Sequence, residues 1–449
     1  MRLRCLLPVL TVVIAAASLA QQPAIDPALA REIDSILAID NHAHPMLSPP
    51  ADATDREFDA LPVDSMAPQT DPIALRPDWP PLHDAWLALF DIDLKPPLTP
   101  ETQKLLNAAR AGVKAREGEH YSTYILEKSG ISTMVANRVA MGTGVQPPRF
   151  LWVPYEDALL FPLNNASMAA ATPDRTQFFA LEDKLRARYL HDAGLTKLPP
   201  TLDAYINQIV LPTLRRQHQY GAIAAKFELA YLRSLDITNP THAAASAIYS
   251  KYIGVNTSPD LATYKPLQDY LFRTIALECG RLGMAVHFHS MAGAGSYFSI
   301  AGGNPMNMEP IFNDATMRHT NFVMLHSGWP FVHQTGALLQ KPNVYLDISQ
   351  QALVIPAPTL ATWLREWLEL FPDKVLFATD GYPYSPYLGW EESTWIAARN
   401  ARQALGIALT GMERDGEITP ARASQIAHMV LHDNAADLYH LPTVKPTSP

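Results

Sequence analysis

The chain is poor in cysteine, in basic charge and in long apolar runs. It holds 2 cysteines in 449 residues, Cys5 and Cys279. Cys5 sits in a segment with the marks of an export signal. Arg2 and Arg4 come first, an apolar core follows over 6–17, and Ser18-Leu19-Ala20 offers a small-x-small cleavage site. Removal of residues 1–20 leaves Cys279 alone, which excludes an intramolecular disulfide in the mature chain. That apolar core is short of the roughly 20 residues a membrane span needs, and no other stretch of the sequence is long and apolar enough. No stable membrane anchor is therefore expected, and the chain should be exported, periplasmic or secreted. The formal net charge of −9 gives no basic footprint for nucleic acid. No G-x-G-x-x-G follows a predicted strand, so a dinucleotide-binding fold has no support. Assembly into a homo-oligomer is left open.

What the chain does have is the composition of a globular α/β protein, with 48% hydrophobic and 18% charged residues. Its 39 prolines cluster, which points to long ordered loops. Residues 27–37 are spaced as a helix and 39–44 read as a strand. The Pro- and Asp-rich stretch from 45 to about 100 is too long for an ordinary connection, and its Trp79, Trp86 and Phe90 argue that it is packed. Further strands follow in "ISTMVANRV" (131–139), "RFLWVPYEDALLF" (149–161), "AIAAKFEL" (222–229), "MAVHFHS" (284–290), "NFVMLHS" (321–327), "NVYLDIS" (343–349) and "KVLFATD" (374–380), with helical patterns such as 202–221 and 266–283 between them. Strand–helix alternation implies parallel strands with right-handed crossovers. Eight such units predict an α/β fold, a (β/α)₈ TIM barrel with long insertions at the C-terminal face of the strands. The barrel domain should cover 21–442, closed by a helix with Thr419 as N-cap and Pro420 in its first turn, and followed by a tail over 443–449.

Polar residues recur where these strands end: His42 and His44, then Lys226 and Glu228, His287 and His289, His326, and Asp380. A barrel builds its active site at that end. Residues two apart on a strand share a face, so His42 and His44 can act together as a chelate for a borderline cation such as Zn²⁺. One H-x-H pair is equally compatible with two satisfied polar residues beside a loop. The full ordered set points to a bound divalent metal.

These segments resemble a known family. "IDNHAHP" (39–45), "MAVHFHS", "NFVMLHSGWPFVHQTGALL", "NVYLDIS", "KVLFATDGYP" and "LHDNAADLYHL" are similar to successive motifs of the amidohydrolase superfamily, in its amidohydrolase 2 branch of TIM-barrel metal-dependent hydrolases and decarboxylases. The resemblance implies His42, His44, His289 and Asp380 as metal residues, with His326 beside the metal and a further candidate ligand. Lys226 falls where binuclear members carry a carboxylated lysine bridging two metals; pairing with Glu228 or with a substrate carboxylate is the other reading. His287 stands where Gln is more usual, and is expected to contact substrate or to fill the barrel. Arg138, just past the second strand, is a candidate for a substrate carboxylate or for a loop salt bridge. The implied cofactor is Zn²⁺, one ion, or two with a carboxylated Lys226.

The expected activity is hydrolysis of an amide, lactone or ester bond in a small-molecule substrate by a metal-activated water. Asp380 would accept the water's proton and return it to the leaving group, and the metal or a protonated His326 would stabilise the oxyanion. Non-oxidative decarboxylation at the same residues is the alternative. A non-catalytic exported binding protein would be expected to have lost ligands, and all are present. The loops over 45–120, 162–200 and 290–315, which should set specificity, carry no readable motif.

Overall fold

A computed structural model describes residues 25–62 and 76–441. The export segment and the C-terminal tail of the sequence reading lie outside the described residues. Eight short parallel strands carry the architecture: β1 (Ala38–Ala43), β2 (Ile131–Asn137), β3 (Phe150–Val153), β4 (Ala224–Phe227), β5 (Ala285–His289), β6 (Phe322–Leu325), β7 (Val344–Asp347) and β8 (Val375–Leu376). They pair in chain order as β1-β2-β3 and as β4-β5-β6-β7-β8. Backbone hydrogen bonds join the two groups at both seams. Ile223 N donates to Trp152 O (3.1 Å) and Lys226 N to Pro154 O (2.8 Å), linking β3 to β4. Asn41 N donates to Phe377 O (3.0 Å) and Asp380 N to His42 O (2.8 Å), linking β1 to the chain after β8. The eight strands thus form a closed TIM barrel, as the strand–helix alternation predicts.

Local sequence explains each repeat. The helix Leu261–Leu282 starts at Asp260, whose carboxylate accepts from Thr263 N, and stops at Gly283, which takes φ +74° to turn the chain into β5. Between these signals Leu267, Leu271, Ile275 and Cys279 recur every fourth residue and are all buried, the stripe that a helix lays on a sheet. At the C-terminus Thr419 Oγ1 accepts from Arg422 N (3.2 Å), with Pro420 at the first helical position. The described part of the long first insertion that follows residue 75 is packed: Trp79, Trp86 and Phe90 are buried, and Trp86 Nε1 donates to Tyr387 O (3.3 Å) in the loop after β8. None of the described helices is long and apolar enough to cross a membrane.

Three strands differ from the sequence reading. β3 stops at Val153 rather than running to 161, because Pro154 has no N–H to give a ladder; the chain turns instead into a 3₁₀ helix at Asp157–Leu160. β4 ends at Phe227, and Glu228 beyond it begins the short helix Leu229–Leu232. β8 is only two residues long. Thr379 N goes to the Asp40 carboxylate (3.0 Å) instead of a strand carbonyl, which interrupts the ladder until Asp380 N rejoins β1 at His42 O.

Candidate metal centre

Asp40 anchors the first motif. Its Oδ1 accepts from His42 N (3.2 Å) and Thr379 N (3.0 Å), and its Oδ2 from Thr379 Oγ1 (2.5 Å), so one buried carboxyl ties the end of β1 to the end of the β8 segment. Burial outweighs these donors and pushes Asp40 up to about 7. The glycine of the T-D-G motif has a steric reason: a Cβ at Gly381 would stand 2.0 Å from Thr394 Oγ1.

His42 and Asp380 meet at the barrel mouth. His42 Nε2 is 3.1 Å and His44 Nε2 3.5 Å from Asp380 Oδ1, and His326 Nδ1 is 3.9 Å from Asp380 Oδ2. His42, His326 and Asp380 each offer a ligand atom within 4.8 Å of the others. His289 stands beside this group, its ring 4.6 Å from that of His326. On its other side the His289 ring packs 4.5 Å from Tyr231 and 5.9 Å from Phe298. The glycine-rich loop that carries Phe298 comes so near that a Cβ at Gly293 would lie 2.5 Å from the Tyr231 ring. His326 and Asp380 adopt left-handed backbone, φ +63° and +56°, a strained conformation for non-glycine residues that concentrates at functional sites.

The electrostatics suit a cation. Burial, with Lys226 next, holds His42 well below the usual imidazole range. The same two causes bring His289 down to about 3, and burial also holds His326 low. These rings are therefore neutral at pH 7 and carry lone pairs. Burial alone would raise Asp380, yet His326, His42 and His44 together keep it well below the usual carboxylate range. His42 Nδ1 and His289 Nε2 are buried without a hydrogen-bond partner, and His42 Nε2 meets only the Asp380 carboxylate, at 3.1 Å. Such orphaned atoms cost about 1–3 kcal/mol each, and neutral imidazoles around one carboxylate are a donor set for a divalent metal. The residues fit the ion.

Neighbours orient these ligands. His44 Nδ1 lies 3.0 Å from Phe58 O and 3.1 Å from the Tyr155 hydroxyl. Donation to the carbonyl puts the proton on Nδ1 and leaves Nε2 free toward Asp380. The Tyr384 hydroxyl donates to Asp380 Oδ2 (3.2 Å). His326 Nδ1 meets Ser349 Oγ at 2.9 Å, and Ser349 Oγ donates to Asp347 Oδ1 at 2.5 Å. Of these neighbours, Asp347 and Ser349 were findable in the sequence. "LDIS" repeats at the end of β7 the i, i+2 polar pattern that marks the histidines. Asp40, two residues before His42 on β1, shares that spacing; Tyr155 and Tyr384 carry no such signal.

Two candidates take other places. Arg138 is fully buried and spends its guanidinium on Asp55 Oδ1 and Oδ2 (2.9 Å each), Pro45 O (2.5 Å) and Ala140 O (2.8 Å). That bidentate pair pins the first insertion and is the loop salt bridge that the sequence left open for Arg138, in place of a substrate contact. His287 fills the barrel, one layer below His289, with Nε2 2.7 Å from the Tyr439 hydroxyl of the C-terminal segment; of the two places the sequence left open, substrate contact or barrel filling, it takes the second. Lys226 is buried, pairs in register with His287, and makes no ion pair among the described residues. Beyond it lie carboxyls with unpartnered oxygens, Glu156, Asp157, Glu182 and Glu228. Burial pushes Asp157 up to about 7 and the three glutamates well above the usual range.

His287 gives a stability prediction. Burial, then Lys226, lowers it to about 3 from an ordinary 6.5. Between those values the unfolded chain binds the extra proton, so this contribution is intact above pH 6.5 and is lost as pH falls toward 3. The slope is about 1.4 kcal/mol per pH unit for one proton. In metal-free protein, denaturant titrations from about pH 7 to 4 should show a shallower acid loss in His287→Gln by up to that slope. Asp40 and Asp347, whose raised values act in the opposite sense, are common to both proteins and cancel. Equal slopes would refute the placement.

Residues 212–441 match the amidohydrolase family. Protein fluG of Emericella nidulans is 28% identical over 191 residues, 41% of this chain and 21% of that protein; the match thus spans about a fifth of the curated relative. Among solved structures, a protein assigned as a metal-dependent hydrolase from Lactobacillus casei superposes with TM-score 0.56 at 17% identity, covering 93% of this chain and 98% of that one. Uronate isomerase from Thermotoga maritima gives 0.61 at 12% identity, covering 92% and 96%. Glucuronate isomerase from Caulobacter crescentus gives 0.61 at 11%, covering 93% and 94%. At these identities the structures establish the shared fold.

Proposed function

The chain belongs to the amidohydrolase family, and we propose that it is a metal-dependent hydrolase cleaving an amide, lactone or ester bond in a small molecule. The observation that carries this reading is the convergence of His42, His326 and Asp380 on one buried point, with His44 and His289 beside them and lone pairs left unpartnered. His42, His44, His289 and Asp380 would hold the ion, with His326 as a further ligand. A divalent cation bound there, Zn²⁺ in this proposal, polarises a carbonyl and lowers the pKa of water toward neutrality.

The chain's own residues handle the proton. Asp380 is anionic at neutral pH and can accept a proton from water. The same carboxylate can pass that proton to a leaving group. Tyr384 holds Asp380 Oδ2 and, raised by burial, keeps its own proton. His326 acts differently from the sequence reading. Burial holds it below the usual imidazole range and its Nδ1 meets Ser349 Oγ, so in this proposal it would contribute a lone pair and not a cationic donor to an oxyanion. Lys226 stands in register with the barrel-filling His287 and not with His289. This proposal takes one ion per chain, with Lys226 outside the coordination sphere.

The test is a panel of amides, lactones, esters and unsaturated or aromatic acids, run with Zn²⁺-loaded and chelator-treated protein. The expected result is hydrolysis of at least one bond class, lost on chelation and restored by Zn²⁺. Release of CO₂ without hydrolysis would replace the proposal with decarboxylation.

A further inference from the structure

A chain of buried hydrogen bonds runs from the metal centre across the barrel, and its donors can be assigned throughout. Asp347 receives at both oxygens. His326 N (3.0 Å), Ser349 N (3.2 Å) and Ser349 Oγ (2.5 Å) donate to Oδ1, and Asn41 Nδ2 donates to Oδ2 (2.9 Å). Three N–H groups that can only donate describe a carboxylate with no proton of its own to place, and a hydroxyl 2.5 Å from it can only donate as well. The Ser349 hydrogen therefore points to Asp347, and Ser349 Oγ must accept from His326 Nδ1–H at 2.9 Å. On the far side the Tyr439 hydroxyl donates to Asn41 Oδ1 (2.5 Å), so its oxygen accepts from His287 Nε2–H at 2.7 Å. Two histidines, a serine, an asparagine and a tyrosine thus all send their protons one way, toward Asp347. Every one of these groups is within a tenth of complete burial, so water cannot compete for the bonds.

We propose that Asp347, acting through Ser349, is the positioning residue of the centre: it fixes His326 as the Nδ1–H tautomer and leaves the lone pair on Nε2 for the ion. A histidine that can hold its proton on either nitrogen presents the correct lone pair only part of the time. It also has no fixed ring orientation. Partners of this kind are worth about 10- to 100-fold in metal affinity. The left-handed backbone of His326, φ +63°, fits the same purpose, since the Asp347 carboxylate also accepts the backbone N–H of that strained residue. The inference rests on the metal-centre reading under "Proposed function" but not on the bond that is cleaved.

The experiment uses full-length protein with ¹⁵N-labelled histidine, compared as parent, Ser349→Ala and Ser349→Thr. Imidazole ¹⁵N shifts of the metal-free parent should show the Nδ1–H form of His326, and Ser349→Ala should lose that preference. Zn²⁺ affinity by chelator competition should fall about 10-fold or more in Ser349→Ala, and the visible spectrum of the Co²⁺ form should change. Ser349→Thr, which keeps the hydroxyl, should recover the tautomer. An Nε2–H His326 in the parent would overturn the proposal, as would Zn²⁺ affinity in Ser349→Ala equal to the parent's. If affinity and tautomer respond as stated while no substrate is hydrolysed, the positioning role stands and the hydrolase reading fails.

Discussion

Asp380→Asn should retain its metal and lose turnover by about 10² to 10⁴-fold, the range expected when a general base is removed. The geometry separates the two roles. Asp380 Oδ1 faces His42 and His44, and Oδ2 accepts from Tyr384. Asparagine can keep a carbonyl oxygen toward the histidines and turn its NH₂ to the Tyr384 oxygen, which can accept. A coordinating oxygen survives, and the capacity to take a proton at neutral pH does not. Metal content, turnover and circular dichroism on the purified variant check the outcome. Turnover near the parent rate would show that the base is elsewhere.

His42→Ala should fail in a different way, losing metal and activity together. The His42 ring has no hydrogen-bonded role outside the site, since Nε2 meets only the Asp380 carboxylate and Nδ1 is buried without a partner. Its removal breaks no structural bond, and the barrel should fold. Activity should drop by at least about 10³-fold, because a Lewis acid contributes several kcal/mol to the barrier and each 1.4 kcal/mol is tenfold. Thermal melts of both proteins without metal should be similar. The parent alone should gain stability when Zn²⁺ is added, as mass action requires of an ion that binds only the folded state.

The strand-end chemistry was legible in the sequence because a barrel projects it by rule. Residues two apart share a face, and the C-terminal ends of all eight strands meet at one mouth. His42, His44 and Asp380 come together on that rule alone, from positions more than 330 residues apart. The rule fixes direction and not depth. His287 and His289 share a face of β5, yet His287 lies a layer deeper and meets Tyr439 of the C-terminal segment. Arg138 stayed open between two readings for a related reason. A lone arginine past a strand reads as an anion site until its partner is known, and that partner, Asp55, comes from an insertion with no periodic pattern. Strand lengths were over-read where a side chain replaced the ladder, as Asp40 does at Thr379. Tyr155 and Tyr384 could not be read at all, because long-range contacts with the ligands leave no local spacing.

The central claim is that "IDNHAHP" exists to hold a metal. Elemental analysis of the parent chain, loaded with Zn²⁺ and dialysed, tests it most directly when His42→Ala is treated in parallel. The account predicts about one divalent ion per parent chain and close to none in the variant. A parent that carries no ion, or a variant that carries as much as the parent, would contradict it.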